Sequence, residues 1–173
     1  MSGIIDALRK DHSHMEQLLQ ILEREVLACE RDGKPDNDIL SGIINYFRSY
    51  PDRFHHPTED LIFGRLQIRS PELAQNVIDI VSEHGQAGRR LGQLAGLLET
   101  AGGECVPSRS FGSAAADFIA DERQHITLEE RQLFPAALEN LTPQDWTELD
   151  HLLAKRWLSA DPRRGRGLLR GAC

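Results

Sequence analysis

Apolar residues recur at steps of three and four positions along most of this chain, which is the spacing of one face of an α-helix. The clearest run is Leu73, Val77, Ile80, His84, Ala87, Leu91, Leu94 and Leu98. No segment of the sequence alternates apolar and polar residues as a half-buried β-strand does. The pattern predicts an all-α protein: an up-down-up-down four-helix bundle with a short fifth helix at its C-terminal end.

Turn residues and helix-capping residues divide this pattern into five helical segments. We expect helices from Ile5 to about Arg31, from about Asp36 to beyond Leu66, from Ser70 to about Ala101, from about Phe111 to Ala136, and from Thr142 to about Leu158. Asp32-Gly33-Lys34-Pro35 and Gly102-Gly103 are typical helix stops. Pro51 and Pro57 must kink or interrupt the second helix, because proline lacks an amide donor. Residues 1–158 are predicted to form one domain, and residues 159–173 a basic flexible tail.

Composition narrows the class of protein. A chain of 173 residues is long enough for one domain with a sizeable core. Its net charge of −7 argues against a nucleic-acid-binding surface. Three widely spaced cysteines without a C-x-x-C motif favour a reducing compartment, so we expect a cytoplasmic protein. No apolar run approaches the roughly 18 residues that a membrane-spanning helix needs, so we expect no membrane association.

Each of the four long predicted helices places a histidine among its inward-facing residues. These histidines are His12, His55, His84 and His125. A single histidine on an apolar helix face is more often a structural residue than a metal ligand. Four helices that each carry one such residue favour a shared metal site.

Two of these histidines are followed four positions later by a glutamate, as His55–Glu59 and His125–Glu129. Four residues are about one helical turn, so the two side chains of each pair lie on the same face. Two carboxylates buried in an apolar core would be costly, and two divalent cations would remove that cost if each glutamate bridged both ions. Imidazole and carboxylate ligands suit iron, manganese or zinc. The sequence therefore predicts a two-metal site at His12, His55, Glu59, His84, His125 and Glu129.

Two positions of this site stay open in the sequence. A kink at Pro57 could turn either His55 or His56 inward, and Glu130 could replace Glu129 if the helix is overwound. A ferritin-like di-iron site needs two E-x-x-H motifs on separate helices, and only Glu122–His125 fits that motif. We therefore reject the ferritin-like alternative. His14 and His151 are expected to face solvent.

The motif-bearing segments resemble those of the hemerythrin-like proteins of the HHE cation-binding family, over roughly residues 4–140. The segments are Lys10-Asp11-His12, Phe54-His55-His56-Pro57-Thr58-Glu59, Glu83-His84 and His125-Ile126-Thr127-Leu128-Glu129-Glu130. The resemblance implies a four-helix bundle that holds two irons, bridged by two carboxylates and an oxo or hydroxo group. It implies that His12, His55, His84 and His125 are terminal ligands, and that Glu59 and Glu129 are the bridges. Manganese or zinc could substitute for iron.

The chain departs from the oxygen-carrying hemerythrins one turn after His84. Those proteins have a second histidine there, and this chain has Gly88. The resemblance then implies a small-molecule ligand, either oxygen, hydrogen peroxide or nitric oxide, in oxygen or redox sensing, scavenging or iron handling. The alternatives are an enzyme that decomposes hydrogen peroxide and an iron donor in the repair of damaged iron centres. We expect a monomer or a homodimer, and a sensor would also need a protein partner to receive its signal.

Gly88 also belongs to a series of glycines in the third predicted helix. The series is Gly85, Gly88, Gly92 and Gly96. Each glycine inside a helix costs about 1 kcal/mol relative to alanine. We interpret the series as a site of close helix–helix packing in preference to a channel beside the metals.

Overall fold

The described part of the protein, residues 3–32, 36–100 and 109–160 of a computed structural model, is all-helical and contains no β-strand. The α-helices are α1 Gly3–Asp32, α2 Asn37–Tyr50, α3 His56–Arg69, α4 Ala74–Thr100, α5 Arg109–Leu128, α6 Phe134–Asn140 and α7 Pro143–Ala160. Helices α2 and α3 are continuous through a π-helical turn, Pro51–His55, and α5 and α6 through a second one, Glu129–Leu133. The all-α prediction is confirmed, and α7 is the predicted fifth helix.

Polar side chains fix where some of these helices begin. The carboxylate of Asp36 accepts hydrogen bonds from the backbone amides of Asp38 and Ile39, and so caps α2. Thr142 and Asp145 cap α7 reciprocally, since each side chain accepts a hydrogen bond from the other residue's backbone amide. Ser70 and Pro71 stand at the N-cap and at the first positions of a short 3₁₀ turn, Pro71–Leu73, that leads into α4. The third predicted helix therefore starts at Ser70 as expected, although the Ser70 side chain makes no capping hydrogen bond.

The prolines of the second predicted helix distort it without ending it. Pro51 opens the π-helical turn, whose closing hydrogen bond runs from the backbone amide of His56 to the carbonyl of Pro51, five residues earlier. Pro57 follows directly, at the point where the π-helical turn passes into α3. The helix is therefore distorted where the two prolines predicted it, and the distortion is one widened turn.

The helices bury two apolar clusters, one on each side of a polar layer. Helix α1 packs against α2 and α5, α4 packs against α2, α3 and α5, and α3 also packs against α6 and α7. One cluster includes Met15, Phe47, Leu91 and Phe118, and the other includes Leu8, Ile62, Ile80 and Leu133. Along each of the four long helices, a predicted metal-binding histidine lies between its contributions to the two clusters. The candidate site therefore forms a polar layer across the middle of the core.

Glycines do not mark close helix packing along α4, so that interpretation is wrong. Among the described residues, nothing outside their own helix lies within 4 Å of a Cβ atom added at Gly85 or Gly92. At Gly88 the nearest atom is a carboxylate oxygen of Asp52, at 3.7 Å.

Several predictions fall on residues outside the described part of the chain. These are the helix stops at Gly33 to Pro35 and at Gly102-Gly103, and the basic tail beyond Ala160. Among the described helices, none combines the length and the apolar character that a membrane crossing requires.

Candidate metal centre

The six residues predicted from the sequence come together in the polar layer, and His56 joins them. Glu59 and Glu129 are completely buried, each with 0% of its surface exposed. All five histidines, His12, His55, His56, His84 and His125, are buried as well. The helices bring these side chains inward from α1, α4, α5 and the two π-helical junctions.

The side chains form two groups that could each hold one metal ion. The first group consists of His12, His55, Glu59 and Glu129, and the second group of His56, Glu59, His84 and His125. Within each group the ligand atoms lie within 4.8 Å of one another. Glu59 belongs to both groups, so the groups are adjacent.

Both glutamates face the two groups at once. One oxygen of Glu59 lies 3.0 Å from Nε2 of His55, and the other lies 3.6 Å from Nε2 of His84. Glu129 likewise places one oxygen 3.2 Å from Nε2 of His12 and the other 3.4 Å from Nε2 of His125. This is the arrangement that a carboxylate needs in order to bridge two cations.

Every histidine of the centre has a carboxylate on its Nδ1 atom. The pairs are His12–Glu130 at 3.0 Å, His55–Asp11 at 3.3 Å, His56–Asp52 at 3.2 Å, His84–Asp60 at 2.9 Å and His125–Glu83 at 3.0 Å. An ionised carboxylate can only accept a hydrogen bond, so each Nδ1 atom is the donor. This assignment leaves the Nε2 lone pair of each ring for a metal ion, as in most metal-binding histidines of proteins.

The Nε2 atoms converge without a hydrogen-bond donor to satisfy them. Those of His12 and His55 are 3.0 Å apart, and those of His84 and His125 are 3.2 Å apart. None of the four oxygens of Glu59 and Glu129 has a hydrogen-bond partner among the described residues. Buried lone pairs that face one another repel unless a cation or a proton lies between them. The donor set therefore fits two metal cations.

In the metal-free protein, protons on the histidines would supply part of the positive charge that the two metal cations would provide. Burial alone would lower the pKa of His12, but the carboxylates of Glu129 and Glu59 would accept a hydrogen bond from a protonated Nε2 and attract its charge, and these effects outweigh burial and raise the pKa to about 10. Burial would also lower the pKa of His84, but Asp60, Glu129 and Glu59 outweigh it and raise that pKa to about 10. For His55, Glu59 and Asp11 outweigh burial and raise the pKa to about 9. Burial would raise the pKa of Glu59, but charge attraction and hydrogen bonding from His55 and His12 hold it well below its usual value.

His56 behaves differently from the other four histidines. Burial and the positive charge of neighbouring His84 lower its pKa to about 2, so its ring is neutral at physiological pH. The sequence posed His55 and His56 as alternatives, whereas the structure buries both, one in each group. The sequence signal for this arrangement was the pair Pro51 and Pro57, which predicted a distorted helix. A widened helical turn changes the angle between successive side chains.

The Nδ1 partners were missed from the sequence, except that Glu130 was considered as a ligand. Glu130 is not a member of either group, and its carboxylate instead contacts Nδ1 of His12 and receives a hydrogen bond from Arg9. Asp52 comes four residues before its partner His56, a spacing that the sequence shows, whereas Asp11 and Glu83 contact histidines of other helices, His55 and His125. His14 and His151 are exposed, as expected.

A small cleft reaches the second group from the surface. Its volume is about 10 Å³, room for about one water molecule. It is lined by Glu83, Ala87, Arg90, Asp121, Glu122 and the three histidines of the second group. Burial raises the pKa of Glu122, so a carboxylic acid that holds its proton more tightly than usual stands beside this group.

Comparison with known proteins agrees with this geometry. The family described as the hemerythrin HHE cation binding domain matches residues 3–137, which include all seven residues of the two groups. No curated protein and no solved structure gives a significant match. The chain belongs to the hemerythrin HHE cation-binding domain family.

Proposed function

We propose that this protein holds a di-iron centre that binds or reacts with oxygen, hydrogen peroxide or nitric oxide. The observation that carries the proposal is the convergence of five Nε2 atoms on two buried carboxylates that have no hydrogen-bond partner among the described residues. Such a set of acceptors is costly unless cations occupy the space between them. The centre would serve in oxygen or redox sensing, in scavenging or in iron handling.

The ligand assignment follows the two groups. His12 and His55 would hold the first iron, and His56, His84 and His125 would hold the second. Glu59 and Glu129 would bridge the two irons, because each of them presents one oxygen to each group. Compared with the set predicted from the sequence, the assignment adds His56 and keeps Glu129 over Glu130.

Iron is the metal we favour among those that fit imidazole and carboxylate ligands; manganese and zinc are the substitutes. Iron bound here would supply a redox-active Lewis acid for a small ligand. The first iron would have one terminal imidazole fewer than the second, so it is the position with more room for such a ligand. The up-down-up-down order of the bundle is part of the proposal, and short connections between successive packed helices support it.

Metal content and absorption test this proposal together. Anaerobically purified protein should contain about two irons per chain and should show new near-ultraviolet and visible bands after exposure to oxygen or peroxide. Titration with nitric oxide gives a second readout of an open metal position. Folded protein that takes up no iron when iron is offered would overturn the proposal.

A second candidate function, decomposition of hydrogen peroxide, is favoured by Glu122. Its carboxyl group lines the cleft beside the second group, and burial raises its pKa, so it is placed to give and take a proton there. Glu122→Gln should then slow peroxide consumption by at least tenfold with unchanged iron content. Equal rates in the variant and the wild type would remove this candidate.

The remaining expectations stay predictions. They are a cytoplasmic location, a monomeric or homodimeric state, the absence of nucleic-acid binding, and a protein partner if the protein is a sensor. Two domain boundaries also stay predictions: a single domain over residues 1–158 and a basic tail over residues 159–173.

A further inference from the structure

We propose that a groove between α1, α3 and α7 binds an organic ammonium ion that has an apolar body. The groove lies outside the metal centre and has a volume of about 760 Å³, which is within the ordinary range for a small-molecule site. Neither the family assignment nor the proposed di-iron chemistry gives it a role.

The walls of the groove are mainly apolar. Ile4 and Leu8 of α1 line one side, and Trp146 and Leu153 of α7 line the other. Such walls favour a ligand with a hydrocarbon or aromatic body, since binding would remove apolar surface from water on both partners.

Among the described residues, the charged groups that line the groove are both carboxylates, Asp11 and Asp150, and no lysine, arginine or histidine lines it. The guanidinium of Arg53 lies 5.1 Å from the ring centroid of Phe54, a lining residue, and Nδ1 of His55 contacts the carboxylate of Asp11. A ligand that carries a positive charge and several N–H donors therefore complements the groove, whereas an anion would be repelled.

The carboxylate of Asp11 can still accept hydrogen bonds from such a ligand, although it already has two partners. The hydroxyl of Tyr50 donates to its carboxylate, with 3.1 Å to each oxygen, and Nδ1 of His55 lies 3.3 Å from one of them. A carboxylate offers about four acceptor positions, and 29% of this side chain is exposed. The bound ammonium group would thus contact the same carboxylate that orients His55.

Three probes of matched shape and different charge test the proposal on the full chain. They are 4-phenylbutylammonium, 4-phenylbutanol and 4-phenylbutyrate, each titrated by calorimetry. The cation should bind about tenfold more tightly than the alcohol, which corresponds to one charge-assisted hydrogen bond. The anion should bind more weakly than the alcohol.

Asp150→Asn is the informative variant, because Asp150 is exposed and is not part of the metal centre. It should weaken cation binding several-fold and leave alcohol binding unchanged. Asp38→Asn is the matched control, since Asp38 is an exposed aspartate on α2 that does not line the groove. This control should bind all three probes as the wild type does.

Two results would overturn the proposal. Equal affinity for the three probes would show that charge does not select the ligand. Failure of all three to bind would show that another part of the chain or a second copy covers the groove. The titrations are made on metal-free and on zinc-loaded protein, so failure to take up metal would refute the di-iron proposal without affecting this result.

Discussion

The ring of His56 lies flat on the ring of His84, with 4.1 Å between their centroids and 9° between their planes. This stacking places a third imidazole in the second group, although α4 carries Gly88 one turn after His84. The missing histidine of α4 is thus matched by an additional one at the start of α3. A count of imidazoles based on Gly88 alone would leave this residue out.

His56→Ala should lower metal content from about two ions per chain towards one, because the second group would keep only two imidazoles. His14→Ala is the control, since His14 is exposed and should not affect metal content. Metal analysis after dialysis gives the ratio, and circular dichroism checks that both variants are folded. Two tightly held metals in His56→Ala would exclude His56 from the centre.

Gly88→His should rescue the metal content of His56→Ala. In the wild type a Cβ atom at position 88 would lie in ordinary contact, at 3.7 Å, with Asp52, which pairs with His56, so position 88 lies next to the space that the His56 ring occupies. Removal of the His56 ring frees that space for an imidazole from α4. Metal analysis of the single and double variants makes the comparison. A double variant with no more metal than His56→Ala would show that position 88 does not reach the second group.

Glu129→Gln and Glu130→Gln should have different effects. Glu129 faces both groups, so its loss should abolish binding of at least one metal. Glu130 contacts only the outer nitrogen of His12 within the centre, so its loss should weaken metal affinity by about 10- to 100-fold while two metals still bind at saturation. Competition with a chelator of known affinity measures both. The reverse order of effects would make Glu130 the ligand.

Metal uptake should release protons, and its affinity should rise with pH. His12 and His84, with pKa values of about 10 in the metal-free protein, hold protons that a metal must displace. The number of protons released should fall towards zero as the pH passes 10. Calorimetry in buffers of different ionisation enthalpy counts these protons. Affinity that does not change between pH 7 and 9 would contradict the assignment.

The same two histidines give the metal-free protein a pH-dependent stability. Their folded-state pKa values lie above the ordinary value of 6.5, so their contribution is complete below pH 6.5 and is lost as the pH rises through about 10. Denaturant unfolding of metal-free protein should therefore show this contribution falling over that window. Zinc-loaded protein is the control, because metal ligation removes both titrations.

Gly92→Ala should stabilise the protein by about 1 kcal/mol. Gly92 is exposed within α4, and nothing outside its helix lies within 4 Å of an added Cβ atom, so alanine gains helix propensity without a clash. Thermal unfolding should show a rise in Tm of about 2–4 °C. A lower Tm would mean that this face of α4 is covered in the native protein.

Most of the candidate site could be predicted because the spacing of residues along a helix determines which way their side chains face. His12, His84 and His125 follow the apolar residues of their own helices, so their inward position needs no tertiary information. His55 and His56 are adjacent in sequence, and a regular helix would turn one of them away from the other's side. Only the widened turn between α2 and α3 lets both point into the core. The spacing of apolar residues does not predict the hydrogen bonding of that turn.

The outer carboxylates were harder to predict for another reason. Asp60 and Glu83 are partly exposed in the structure, and exposed acids are common on any helix. What distinguishes them is the distance to an imidazole on another helix, Asp60 to His84 and Glu83 to His125. Such distances depend on how the helices pack, which a single sequence does not specify.

The two π-helical turns also fix the register of the chain. Each hydrogen bond that closes them spans five residues, so each turn contains one residue more than an α-helical turn would. Deletion of one residue within Pro51–His55 would therefore restore a regular α-helical turn and leave α3 close to its present orientation relative to α2. Ile62 and Phe63, both completely buried, would stay in the core. In this fold, each π-helical turn thus absorbs one extra residue without shifting the apolar faces of the helices on either side of it.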